Sequence, residues 1–191
     1  MSSVAADTDL RSLVDNPFEL LKAIERRCLE VTSGRDDAKG DGSEWVGIGF
    51  RVNNENLLVH RDEVREVMVV PRSMSRVPGS KKWVSGLANL RGQLLSVVDL
   101  RQYLGAGTTQ KSRAARLLVL NSREFPVGIL VDEVFGFRRF LDSEFTDNAP
   151  QMVLRCERYL EGMFQQNDNQ WPVFSMSKLL ATQDFQHAGD Q

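Results

Sequence analysis

Gly86-Leu-Ala-Asn-Leu-Arg-Gly-Gln-Leu-Leu-Ser-Val-Val-Asp-Leu-Arg-Gln-Tyr-Leu-Gly105 reads as a β-hairpin that runs into a short helix. Leu87–Leu90 and Leu94–Val98 are apolar runs of strand length, with Arg91-Gly92-Gln93 at the turn between them. A glycine there supplies the positive φ that a tight hairpin turn often needs. Asp99 stands at an N-cap position, and Leu100, Tyr103 and Leu104 are spaced to face inward over one helical turn. The odd member is Arg91, a charge fixed at the turn between two apolar strands. A guanidinium held on a β platform suits recognition of a carboxylate or of a protein surface. Neither a nucleophile nor a metal-ligand cluster accompanies it in this stretch.

Outward from the hairpin the chain divides by pattern. Residues 1–15 are polar and irregular and read as disordered. Asn16-Pro17-Phe18-Glu19 starts a helix over 16–31, with Asn16 as N-cap and Pro17 at the first helical position. Phe18, Leu21, Ile24, Cys28 and Val31 give that helix one apolar face, expected to pack on the β domain. Residues 32–44 read as a linker. From Trp45 the period becomes two, and strands are expected through 45–182, closed by one helix over Ser175–Phe185. Residues 183–191 read as a polar tail. Asp62-Glu63-Val64 recurs 70 residues later as Asp132-Glu133-Val134, and the glycine-led hairpin at Gly86 recurs 76 residues later at Gly162. Similar offsets in the same order predict two related β units packed together, as barrels or a sandwich.

Composition bounds the rest. The 191 residues carry 24 basic and 26 acidic side chains, a net charge of −2, with no basic run of five or more, which argues against nucleic acid as the main partner. No apolar run approaches the roughly 18 residues of a membrane-spanning helix. Met1–Leu10 carries no signal-peptide pattern, so a soluble cytoplasmic protein without membrane insertion is expected. Cys28 and Cys156 lack metal-type spacing and read as reduced and structural.

Sharper chemical readings compete with plainer ones. Ser175-Met176-Ser177-Lys178 matches the Ser-x-x-Lys of acyl enzymes, but the companion motifs do not follow, and Ser175 is read as a helix cap. Gly47-Ile48-Gly49 lies in an alternating strand and opens no helix, unlike a phosphate loop. His60 and His187 are the only histidines, and no Cys or Ser is placed with them to form a nucleophile pair. Asp132 and Glu133 point to opposite faces if they lie on a strand and cannot easily share one substrate atom. Trp45, Trp83 and Trp171 read as core or interface anchors. Arg91 reads equally as one half of a salt bridge with Glu66 and as a partner contact, and a bridge can orient a docking residue.

Asn89-Leu90-Arg91-Gly92 followed by Val97-Val98-Asp99-Leu100-Arg101 resembles the CheW-like domain family. The resemblance continues in Val64-Arg65-Glu66-Val67, Val77-Pro78-Gly79 and Gly128-Ile129-Leu130-Val131-Asp132-Glu133-Val134, and it covers residues 45–182. Ser96 and His60 depart from it, where the family usually places a proline and a small residue or proline. The resemblance implies a mainly β fold of two five-stranded SH3-like barrels with an N-terminal and a short C-terminal helix. It implies a non-enzymatic adaptor without cofactor, whose partners are a CheA-type histidine kinase and the tip of a methyl-accepting chemoreceptor. Carried over position by position, the partner-binding set is Val64, Glu66, Gly86, Asn89, Arg91 and Gly92. Within the family the N-terminal helix, the Trp45–Phe50 strand and Trp171-Pro172-Val173-Phe174-Ser175 look most like the adaptors of type IV pilus twitching motility. A flagellar chemotaxis adaptor and a small-ligand-binding β-barrel are the alternatives.

Overall fold

The computed structural model describes residues 44–110, 112–122, 126–148, 150–166 and 169–189. The expected helix over 16–31, and most of the linker after it, lie outside the described residues. From Glu44 onward the chain is mainly β and forms two sheets. The first holds β1 (Glu44–Val52), β2 (Glu55–His60), β8 (Glu133–Leu141), β9 (Phe145–Thr146), β10 (Leu160–Gln166) and β11 (Asn169–Phe174), in the order β8-β1-β2-β11-β10-β9. The second holds β3 (Val64–Val69), β4 (Val84–Leu90), β5 (Gln93–Asp99), β6 (Arg116–Leu120) and β7 (Val127–Val131), in the order β3-β6-β7-β5-β4. The second unit is therefore inserted into the first, between β2 and β8.

The repeat seen in the sequence is a repeat of topology. Each sheet runs antiparallel, antiparallel, parallel, antiparallel across its five long strands. β4 corresponds to β10, and both carry a register shift at their glycine. The sixth strand of the first sheet is the two-residue β9, which pairs Thr146 with Met163. Its counterpart in the second sheet is a single bridge between Ser75 and Leu87. In both units the chain leaving one edge strand returns to the opposite edge strand, so the open edges are covered.

The glycines make that return possible. A Cβ on Gly86 would lie 2.6 Å from the Ser75 carbonyl oxygen, and one on Gly162 would lie 2.4 Å from that of Thr146. Both glycines also have positive φ, at 139° and 153°. Any side chain here would push the closing segment off the sheet.

Short helices follow the hairpins at matching positions. Asp99 caps α1 (Leu100–Tyr103) by accepting from Gln102 N at 3.1 Å, and Ser175 caps α2 (Met176–Leu180) by accepting from Lys178 N at 3.4 Å. Asp99 is fully buried, and it also accepts from the Thr109 amide and hydroxyl, each at 2.8 Å, which satisfies the carboxylate and pins the loop after α1. Lys178 donates to the Leu160 carbonyl, so the Ser-x-x-Lys pair serves helix and sheet rather than acyl chemistry.

Two expectations need correction at the C-terminal end. The single helix over Ser175–Phe185 is two, α2 and α3 (Gln183–Gln186), because Thr182 between them is extended at ψ 131°. Nor is 183–189 a free polar tail. Phe185 is 8% exposed and stacks on Trp83 with ring centroids 5.5 Å apart, and Lys81 N donates to the Ala188 carbonyl. One aromatic residue anchors a segment whose average composition is polar.

The main apolar cluster joins Ile48, Phe50, Leu57 and Phe174 of the first sheet to Val98, Leu118, Ile129 and Val131 of the second. Both chain crossings between the sheets are tied down by the repeated acidic pair. Glu63, after β2, accepts from Ser177 N at 2.8 Å and Met176 N at 3.2 Å, at the start of α2. Asp132, after β7, accepts from Asn53 N at 2.6 Å and from Arg101 of α1 at 3.5 Å.

Gly86→Ala combines backbone strain with a clash against backbone and is expected to cost about 2–4 kcal/mol. Gly92→Ala, at φ 86° with nothing within 4 Å of the added Cβ, is expected to cost about 1 kcal/mol. Urea unfolding of the two variants measures the difference.

Candidate functional site

The β4–β5 loop has two residues. Leu90 pairs with Gln93, which leaves Arg91 and Gly92 alone at the tip with φ of 49° and 86°. Two consecutive positive φ values give the mirror-image turn whose twist matches the flanking strands. Asn89 supports it, since its Oδ1 accepts from Gly92 N at 2.9 Å. The sequence placed a glycine at the turn for its φ. It gave no sign that Arg91 shares the left-handed conformation, which costs a non-glycine residue about 1 kcal/mol. Arg91 is thus held in a strained position at the exposed tip of the hairpin.

Its guanidinium is directed across the end of the sheet. Arg91 Nη2 donates to Glu66 Oε1 at 2.8 Å, joining the β4–β5 hairpin to the edge strand β3. Glu66 is the more enclosed partner, at 29% exposure against 77% for Arg91. Only one of the five guanidinium N–H groups is committed in this pair. The rest can meet a carboxylate or carbonyl of a docked partner while Glu66 fixes the fork. Arg65, Glu66, Leu90, Arg91 and Gln93 line a shallow depression of about 460 Å³ at this end. Val67 and Val69 on β3 and Leu94 on β5 are exposed on the adjoining strands, with Leu94 at 63%.

Four of the six positions named from the sequence, Glu66, Asn89, Arg91 and Gly92, gather here. Two do not. Val64 pairs with Leu120 and packs against the main apolar cluster, and Gly86 lies near the opposite end of β4 against Ser75. Their part is to place β3 and the hairpin. Arg65 and Gln93 were missed, although the strict alternation of β3 places Arg65 outward.

Two titratable groups away from the hairpin are part of the framework. His60 caps the turn after β2, its Nδ1 accepting from Asp62 N at 3.2 Å. Burial pushes the Cys156 thiol up to about 12. No group of three His, Cys, Asp or Glu among the described residues is placed to hold a metal ion. No helix among the described residues is long and apolar enough to cross a membrane.

Residues 46–184 match the CheW-like domain. The chain belongs to the CheW-like family. Protein PilI of Pseudomonas aeruginosa is 34% identical to it over 172 residues, covering 90% of this chain and 96% of that protein. The chemotaxis protein CheW of Helicobacter pylori is 25% identical, over 84% of this chain and 95% of its own length. The fold resembles the scaffolding protein TtCheW of Thermoanaerobacter tengcongensis with a TM-score of 0.64 at 21% identity, over 74% of this chain and 95% of that one.

The turn strain has a measurable consequence for this CheW-like domain. Arg91→Asn, a residue that accepts the left-handed conformation, is expected to raise stability by about 0.5–1 kcal/mol despite losing the ion pair. Thermal melting at 0.15 M salt reads this directly. In the folded protein, Cys156 is expected to resist iodoacetamide at pH 8, because only the thiolate reacts and its folded pKa lies far above that pH. Peptide mapping after native and denatured labelling checks it.

Proposed function

We propose that this chain is a non-enzymatic scaffolding adaptor that holds a methyl-accepting chemoreceptor tip and a CheA-type histidine kinase together. Receptor state then alters kinase activity through geometry, with no chemical step in the adaptor. The observation that carries the reading is the Arg91–Glu66 pair, an oriented and mostly uncommitted guanidinium on a rigid hairpin. The hairpin belongs to one of two sheets that share one core, so a partner bound at the tip is held at a fixed angle to partners bound elsewhere. The likeness to PilI over 90% of the chain supports output to type IV pili and twitching motility, ahead of flagellar chemotaxis.

In this reading the receptor docks over the depression beside Arg91, and the kinase uses other surfaces. Arg91→Glu is expected to weaken receptor binding by about 2 kcal/mol or more, close to thirtyfold, with kinase binding changed much less. Glu66→Arg combined with Arg91→Glu restores part of the loss if the pair orients the docking group. Calorimetric titration with a receptor-tip fragment and with the kinase regulatory domain measures both. Equal loss of the two, with a lowered melting temperature, contradicts the reading and makes Arg91 a structural residue.

A further inference from the structure

A second feature lies at the seam between the two sheets, apart from the Arg91 hairpin. Trp83, just before β4, Tyr103 of α1, and Tyr159, just before β10, wall a cleft of about 270 Å³. Trp83 meets Tyr103 edge-on at 5.3 Å, and Phe185, outside the cleft lining, stacks on Trp83. Three cationic side chains, Lys81, Arg155 and Arg158, line the same cleft against one carboxylate, Asp184. None of the three forms an ion pair with any described residue. Arg158 instead lies over the Tyr159 ring at 5.8 Å.

The floor of the cleft has a donor to spare. The hydroxyls of Tyr103 and Tyr159 are 2.9 Å apart, close enough for one hydrogen bond. Two hydroxyls bring two protons, and one bond uses one of them. The hydroxyl that accepts keeps its own proton for a further acceptor. Burial, and then the bond to Tyr159, hold the Tyr103 phenol well above its ordinary value, so it stays a neutral donor. Positive charge at the rim, a hydroxyl donor at the floor and an aromatic wall together call for an anion rich in acceptor oxygens.

We propose that this cleft binds a small phosphate-class oxyanion, with Arg155, Arg158 and Lys81 supplying charge and the Tyr103–Tyr159 pair supplying a hydroxyl hydrogen bond. The volume suits a phosphate group with a small substituent. It is too small for a helix of about 10 Å diameter, which separates this site from one for a partner helix. Since Lys81 and Trp83 lead into the second sheet and Arg155 to Tyr159 lead into β10 of the first, a bound anion braces the two units. The adaptor then carries a small-molecule input of its own, beyond its proposed coupling of receptor and kinase.

The test uses the whole chain and inorganic pyrophosphate as probe. Titration followed by nitrogen-15 NMR and calorimetry is expected to show one saturable site that shifts the Trp83 indole N–H. The double variant Arg155→Ala, Arg158→Ala removes two exposed side chains, so its melting temperature should stay unchanged while affinity falls at least tenfold. Tyr103→Phe, which removes one of the two hydroxyl protons, should weaken binding by a smaller factor. Three outcomes overturn the proposal. They are no saturable binding of pyrophosphate, equal binding by the double arginine variant, and binding of an acidic peptide at this cleft where pyrophosphate does not bind.

Discussion

The two sheets share one apolar core, and the placement of the helices and loops around them follows from it. Phe50, Leu57 and Phe174 from one sheet pack with Leu118, Ile129 and Val131 from the other in a single buried cluster. Burying side chains of this size stabilises by roughly 1.5–3 kcal/mol each before chain entropy is counted, so neither sheet can turn against the other cheaply. The insertion of one unit into the other reinforces this, because the chain crosses twice between them. At the first crossing Glu63 accepts from the amides that open α2, and at the second Asp132 accepts from Arg101 of α1. The proposed coupling through geometry needs such a body, since compliance between binding surfaces would dissipate the signal.

Strain sits at the tip of the β4–β5 hairpin, where we propose the receptor docks. Arg91 is the more exposed half of its ion pair, it occupies a left-handed turn position, and it is tied to Glu66 by one hydrogen bond. An exposed pair of this kind contributes little to stability, and the turn would be more comfortable with asparagine or glycine. A positively charged fork at that position is therefore better explained by recognition than by folding. Strain held at one site and offset by a rigid scaffold is a common arrangement for functional residues.

Much of this was legible in the sequence, for identifiable reasons. The hairpin was visible because Arg91-Gly92 interrupts two apolar runs, and the caps because Asp99 and Ser175 precede apolar helical turns. The two-unit architecture was visible through the 70- and 76-residue offsets, which reflect matching positions in one topology. Features that depend on long-range contact were hidden. The docking of Phe185 on Trp83 brings together residues about a hundred apart in sequence, so a local reading saw only a polar tail. Thr146 and Ser75 close their units through one or two bridges, too short to show a strand pattern. Val64 and Gly86 shared a motif with Glu66, Asn89, Arg91 and Gly92 but lie away from the hairpin tip, a distinction that needs three dimensions.

In the proposed role this chain bridges two partners without chemistry of its own. The most direct test is the autophosphorylation rate of the kinase on receptor-bearing vesicles as the chain is added over a wide concentration range. A bridge predicts a bell-shaped response: receptor control of the kinase rises as ternary complexes form, then falls when excess chain occupies each partner separately. A flat response, or one that rises and saturates without falling, rules out a bridge, because the chain would then act on one partner alone.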